Sequence, residues 1–89
     1  MQFEWDEEKR QSNLRKHGVN FADAVEVLFD ELAITIEDPD HHDEQRFITI
    51  GTDTKTRVLV VIYAYQGKNA IRMISARQAD RRERQQYEG

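Results

Sequence analysis

The sequence predicts an α+β domain, a small antiparallel β-sheet with helices packed on it, in the order β-α-α-β-β-β-β-α. Three observations carry this expectation. Two helix starts, at Asp6 and Asn20, stand close together, with Gly18 between them to end the first helix. The segment VLVVIY, Val58 to Tyr63, is apolar at every position, as a strand covered on both faces must be. Two polar connections of hairpin length, Asp53–Thr56 and Gln66–Asn69, punctuate the second half.

Each element has its own warrant. Phe3-Glu4-Trp5 alternates apolar and polar residues and reads as a short strand. Asp6 suits an N-cap, and Glu7 and Glu8 follow where the helix dipole favours negative charge. Lys16 and His17 occupy the last turn before Gly18, where cations are favoured. Leu14 is the only large aliphatic residue of this helix, which places it on the surface. Asn20 caps the second helix, and Val19 can staple onto Ala24. Phe21, Ala24, Val25, Leu28 and Phe29 then form an apolar stripe at helical spacing. Strands are expected over residues 32–37, 46–51, 57–65 and 70–76, with Gly67 supplying a positive φ in the last hairpin. Gln78 to Tyr87 reads as a polar, arginine-rich helix.

Size and composition narrow the function classes. Eighty-nine residues make one domain, 1–89, with no room for a second core. The absence of cysteine removes disulfides, thiolate metal sites and thiol nucleophiles, and fits a reducing cytoplasm. The charged N-terminus has no signal-peptide h-region, and no apolar run approaches the ~20 residues of a membrane span. The net charge of −4 hides an asymmetry. Residues 1–46 carry thirteen acidic and five basic side chains, whereas residues 47–89 carry four and eight. A chain polarised in this way can touch phosphates with its second half and a partner with its first.

The chemistry concentrates around DPDHHDEQR, Asp38 to Arg46. As a metal loop it is poor, because adjacent histidines in extended chain point in opposite directions and only His17 remains elsewhere to complete a shell. No metal and no cofactor are expected. Acid–base chemistry fits better. Cleavage of RNA by its own 2′-hydroxyl needs a base, an acid and cations for the charge that builds on phosphorus. The candidate bases and acids are Glu44, His41, His42 and His17. The candidate cations are Arg46, Arg57, Arg72, Arg77 and Lys16, arginine being suited by its planar fork. Glu44 and Arg46, two apart in extended chain, share a face. Strict alternation along Ile71 to Arg77 instead puts Arg72 and Arg77 on opposite faces unless a bulge intervenes. The Arg81, Arg82 and Arg84 run is interleaved with Asp80 and Glu83, as in a solvated, salt-bridged helix.

Together these segments resemble the BrnT family of type II toxin–antitoxin ribonuclease toxins. The matching stretches are Phe3 to Asp30, Asp38 to Gly51, Arg57 to Tyr63 and Ile71 to Glu88, with NLRKHGV, HHDEQRFITIG and IRMISAR the most specific. The resemblance implies a RelE-like fold and an endoribonuclease that blocks translation. It also implies neutralisation by a BrnA-like ribbon-helix-helix antitoxin, as two toxins on an antitoxin dimer, with operator DNA reached only through the antitoxin. By motif position it assigns catalysis to Glu44, Arg46, Arg77 and His17, and substrate binding to Lys16, Arg72, Arg57, His41 and Tyr87. Either His41 or His42 fills the family's loop position. Reversal of Glu7, Glu8 and Asp23 is then expected to weaken the antitoxin complex. A non-catalytic co-repressor module is the alternative.

Overall fold

A computed structural model describes residues 1–40 and 43–89, so His41 and His42 lie outside the described residues. The elements follow the expected order: β1 (Gln2–Glu4), α1 (Glu7–His17), α2 (Phe21–Val27), β2 (Ile34–Glu37), β3 (Phe47–Thr52), β4 (Val58–Gln66), β5 (Ala70–Gln78) and α3 (Arg81–Glu88). The sheet order is β1-β5-β4-β3-β2. β2 to β5 form an antiparallel meander, and β1 joins the far edge parallel to β5. That makes the sheet mixed. A parallel partner requires a long crossover, and here the two helices and three strands between β1 and β5 supply it.

The caps explain where the first helices begin and end. The Asp6 carboxylate accepts from the backbone N–H of Glu8 at 2.8 Å and of Lys9 at 3.2 Å. Gly18 ends α1 with φ 69°, a conformation that costs a residue with a Cβ. Asn20 caps α2 through the Ala22 N–H. α2 is shorter than its apolar stripe, stopping at Val27, and it buries Phe21, Ala24 and Val27. Phe29, expected on that stripe, is 70% exposed, because the chain has already left the helix. α3 likewise starts at Arg81 rather than Gln78. Asp80 and Glu83 form a reciprocal capping box there, and the three preceding residues are left to β5 and a short link.

The core lies between one sheet face and α2. It joins Val19, Phe21, Ala24 and Val27 to Leu59, Val61 and Tyr63 of β4 and to Ile71, Met73 and Ala76 of β5. β4 is the central strand, as its composition required, with Leu59, Val60, Val61, Tyr63 and Ala64 all buried. α1 has a different task. Only Asn13 is buried in it, and its amide donates to Val19 O at 2.9 Å and Ala76 O at 2.7 Å while accepting from Ala76 N at 3.1 Å. β1 pairs with β5 only as far as Arg72, so Asn13 satisfies backbone groups of β5 that no strand covers.

β5 does not alternate along its whole length. Tyr63 faces Met73 while the adjacent Ile62 faces Ser75, so Ile74 is the extra residue of a β-bulge. The bulge flips the parity of everything that follows. Ile71, Met73 and Ala76 therefore share the core face, and Arg72, Ser75 and Arg77 share the opposite, open face. Strict alternation fails at this one residue.

Candidate phosphate-binding face

Arg72 stands opposite Ala64, and Arg77 stands opposite Val60. Four ladder steps separate these positions, or about 13 Å between the two arginine Cα atoms. Long guanidinium side chains can converge over the ground between them, which Ser75 and Ile62 occupy. Ala64 and Val60 are buried although they lie on this face.

At one end of this face the segment entering β3 brings Glu44 against two arginines. Arg46 Nε donates to Glu44 Oε1 at 3.0 Å, and Arg72 Nη2 donates to the same oxygen at 2.6 Å. Arg72 Nε also donates to Gln66 Oε1 at 3.2 Å. Hydrogen bonds from Arg72 first and Arg46 second hold the Glu44 carboxyl below its ordinary value. Two guanidinium groups sharing one carboxylate leave a net positive site with unspent donors, which is what a phosphate needs.

At the other end Arg77 forms a two-pronged pair with Glu83 of α3, at 2.7 and 2.8 Å. The Arg77 pair lowers the Glu83 carboxyl to about 2, and Glu83 in turn raises the Arg77 guanidinium. Ser75 and Glu83 were not among the expected site residues. The bulge that exposes the first has no glycine or proline to signal it. The second reads in sequence only as one of the acidic residues interleaved with Arg81, Arg82 and Arg84.

His17 and Lys16 reach the same region from the side. With Lys9, Ser12 and Asn13 of α1 they line a cavity of about 190 Å³ whose other wall is Ile74 and Ser75. Arg57 and Tyr87 lie elsewhere. Arg57 precedes β4, about 20 Å along the strand from Ala64. It is engaged by Asp53 at 2.9 Å, by Asp23 at 3.2 Å and by Gly18 O at 3.1 Å. Tyr87 donates to Asp30 and accepts from Thr52 Oγ1 at 2.7 Å, fastening the end of α3 to the sheet. The structure thus gathers Glu44, Arg46, Arg72 and Arg77 on one face and Lys16 and His17 beside it, and leaves Arg57 and Tyr87 in structural ties. Among the described residues no three His, Asp or Glu side chains are gathered closely enough to hold a metal ion.

The family model for the ribonuclease toxin BrnT of type II toxin–antitoxin systems matches residues 5–83. This chain belongs to the BrnT family. A solved structure agrees: the 1.1 Å crystal structure of the Brucella abortus ribonuclease toxin BrnT matches with a TM-score of 0.69 and 34% identity. The match covers 91% of this chain and 99% of that one. No curated protein sequence matches. A BrnT-family chain is a type II ribonuclease toxin whose counterpart is a protein antitoxin. The mixed five-stranded sheet with three helices is the α+β architecture of that crystal structure. No described helix is long and apolar enough to cross a membrane.

Proposed function

We propose that this protein is a metal-independent endoribonuclease whose open sheet face binds the RNA backbone. The observation that supports this reading is the bulge at Ile74, which turns Arg72 and Arg77 to one side of the sheet together with the Glu44–Arg46 pair. In this reading Arg46, Arg72 and Arg77 stabilise the charge that develops on the phosphorus oxygens. Glu44 or His17 takes the proton of the attacking 2′-hydroxyl. Glu44 in the free protein is a weak base, because its two arginines favour the ionised form. A phosphate that draws those arginines to itself restores its basicity, so arrival of substrate prepares the base. His17 brings the side-chain type suited to proton transfer near neutral pH. His41 keeps its proposed substrate role, and Lys16 contributes charge at the margin. For Arg57 and Tyr87 the role we propose is indirect, through the scaffold.

The proposed partner is a BrnA-like ribbon-helix-helix antitoxin, two on two toxins, with operator DNA bound only by the antitoxin. We place its contact on the exposed β2 edge, where Ile34 and Ile36 face outward. The proposed compartment is the cytoplasm, where the RNA is.

Cleavage by protein stripped with EDTA, yielding 2′,3′-cyclic phosphate ends, is the expected result. Arg72→Ala is expected to lower kcat by about 100-fold or more, the scale for losing one preorganised donor to a transition-state charge. Complete loss of activity on chelation would sink metal independence. Undiminished growth arrest by Arg77→Ala would remove Arg77 from the chemistry.

A further inference from the structure

The cavity beside α1 has an unusual charge balance. Lys9, Lys16 and His17 all line it, at helix positions separated by seven and one, and no carboxylate does. Six of the other eleven lysines and arginines are paired, and among the described residues Arg15, Lys68, Arg81, Arg82 and Arg84 are not. Arg10, Arg46, Lys55, Arg57, Arg72 and Arg77 each have a carboxylate partner within 4 Å, including Arg10 on the same helix, paired with Glu7. Among the described residues Lys9, Lys16 and His17 have none. Lys9 and Lys16 repel each other across a cavity that holds no carboxylate to offset them, which suits it to an anion from outside.

The remaining lining fits a phosphate group. Ser12 and Ser75 offer hydroxyl donors from opposite walls, and the floor is Asn13, whose amide is fully engaged with Val19 and Ala76 and so only shapes the cavity. The cavity borders the bulge of β5. Ile74, the inserted residue, forms part of its wall, and Ser75 belongs to the open face two residues from Arg77. Ser75 is thus the residue the cavity shares with the arginine face.

We propose that this cavity is a second phosphate subsite, holding a backbone phosphate of the RNA strand next to the one being cleaved, with Lys9 and Ser12 as ligands that neither the sequence motifs nor the comparisons assign. This rests on the reading of the open face as the RNA-binding surface. A subsite of this kind gives affinity and register to a strand, and it acts only on substrates long enough to reach it.

The test uses the full chain and non-cleavable 2′-O-methyl oligonucleotides, a dinucleotide and a hexanucleotide, with affinity measured by fluorescence anisotropy across salt concentrations. Lys9→Gln is expected to weaken the hexamer several-fold, to leave the dinucleotide unchanged, and to reduce the slope of log K against log salt by about 0.7, the value for one phosphate contact on a single strand. Lys9→Arg should restore both affinity and slope. Hexamer affinity and slope unaltered in Lys9→Gln would overturn the subsite, as would an equal loss on the dinucleotide, which would put Lys9 at the scissile phosphate. Failure of the unaltered protein to bind the hexamer would overturn it too. Absence of cleavage of the unmodified RNA hexamer by a protein that binds the 2′-O-methyl hexamer would overturn the catalytic reading alone, since no 2′-hydroxyl chemistry enters the binding assay.

Discussion

Gly51 on β3 shows how a single missing side chain fixes the approach of a helix to the sheet. A Cβ there would lie 2.9 Å from Val27 Cγ1, 3.1 Å from Ala33 Cβ and 3.1 Å from Asp30 Oδ2. None of these atoms is the loose end of a flexible chain. Val27 is in the core, and Asp30 Oδ2 already accepts from Thr52 N at 2.9 Å and from the Tyr87 hydroxyl. Burial alone would raise the Asp30 carboxyl, yet the Tyr87 hydroxyl and the Leu32 and Thr52 N–H groups bring it below its ordinary value. Gly51→Ala must therefore push α2 and the Asp30 turn off β3. We expect a loss of about 1–3 kcal/mol, the range for overpacking a well-packed site. For a domain of this size that lowers Tm by about 4–8 °C per kcal/mol, readable by calorimetry. A variant as stable as the parent would show that the Asp30 turn yields freely.

At the scale of elements, what the sequence disclosed and what it hid can be traced to particular residues. Caps act locally, so Asp6, Gly18, Asn20 and the turn glycine Gly67 (φ 63°) could be read directly from residue type and position. The Glu44–Arg46 pair was equally legible, because residues two apart in extended chain share a face. The parallel pairing of β1, the Asn13 clasp on Ala76 and the bulge at Ile74 are long-range, and no local pattern encodes them. The bulge left one trace. Ile71, Met73 and Ala76 are the residues the core accepts, a two-then-three spacing that alternation cannot produce, but apolar Ile74 fills the gap and conceals it. α3 is legible as a polar helix, but its start at the Asp80 cap and its docking are not. It buries no residue of its own and is held chiefly through Arg77–Glu83 and Tyr87–Asp30. The acid sensitivity of that docking has a definite sign. Glu83 falls from an ordinary 4.5 to about 2 in the folded protein, so its contribution is fully present above pH ~4.5 and is lost as pH drops from there through about 2. Glu83→Gln should accordingly flatten stability against pH between about 4.5 and 2 in denaturant titrations. An unchanged slope would mean that the pair with Arg77 contributes nothing in solution.

Across the whole molecule, the acidic first half and basic second half do not face each other as two clean surfaces, because folding neutralises much of the first half internally. Asp23 pairs with Lys55 and Arg57, Glu7 with Arg10, and Glu44 with Arg46 and Arg72. Charge reversal at Asp23 would thus injure the toxin itself, which makes it a poor probe of any partner. The acidic residues left exposed include Glu31, Glu37, Asp40 and Asp43, and these interleave with Leu32, Ile34 and Ile36, 75%, 42% and 55% exposed. β2 is an edge strand with one side unpaired, and exposed isoleucines on such an edge invite association unless a partner covers them. Acidic charge repels RNA and, beside apolar residues, suits a protein with basic and apolar side chains. That is the physical ground for the proposed antitoxin contact on the edge opposite β1. Ile34 and Ile36 also lie on the open face, so an antitoxin seated there would approach the arginines from β2 and could block RNA by occupying the same side. We expect Ile34→Ser with Ile36→Ser to weaken the antitoxin by at least about tenfold in calorimetric titration, since each removes burial worth about 1 kcal/mol. RNA cleavage by the free toxin should persist, because both side chains are already exposed and neither touches the Glu44 cluster in the described contacts. Unaltered antitoxin affinity would move the partner surface off β2.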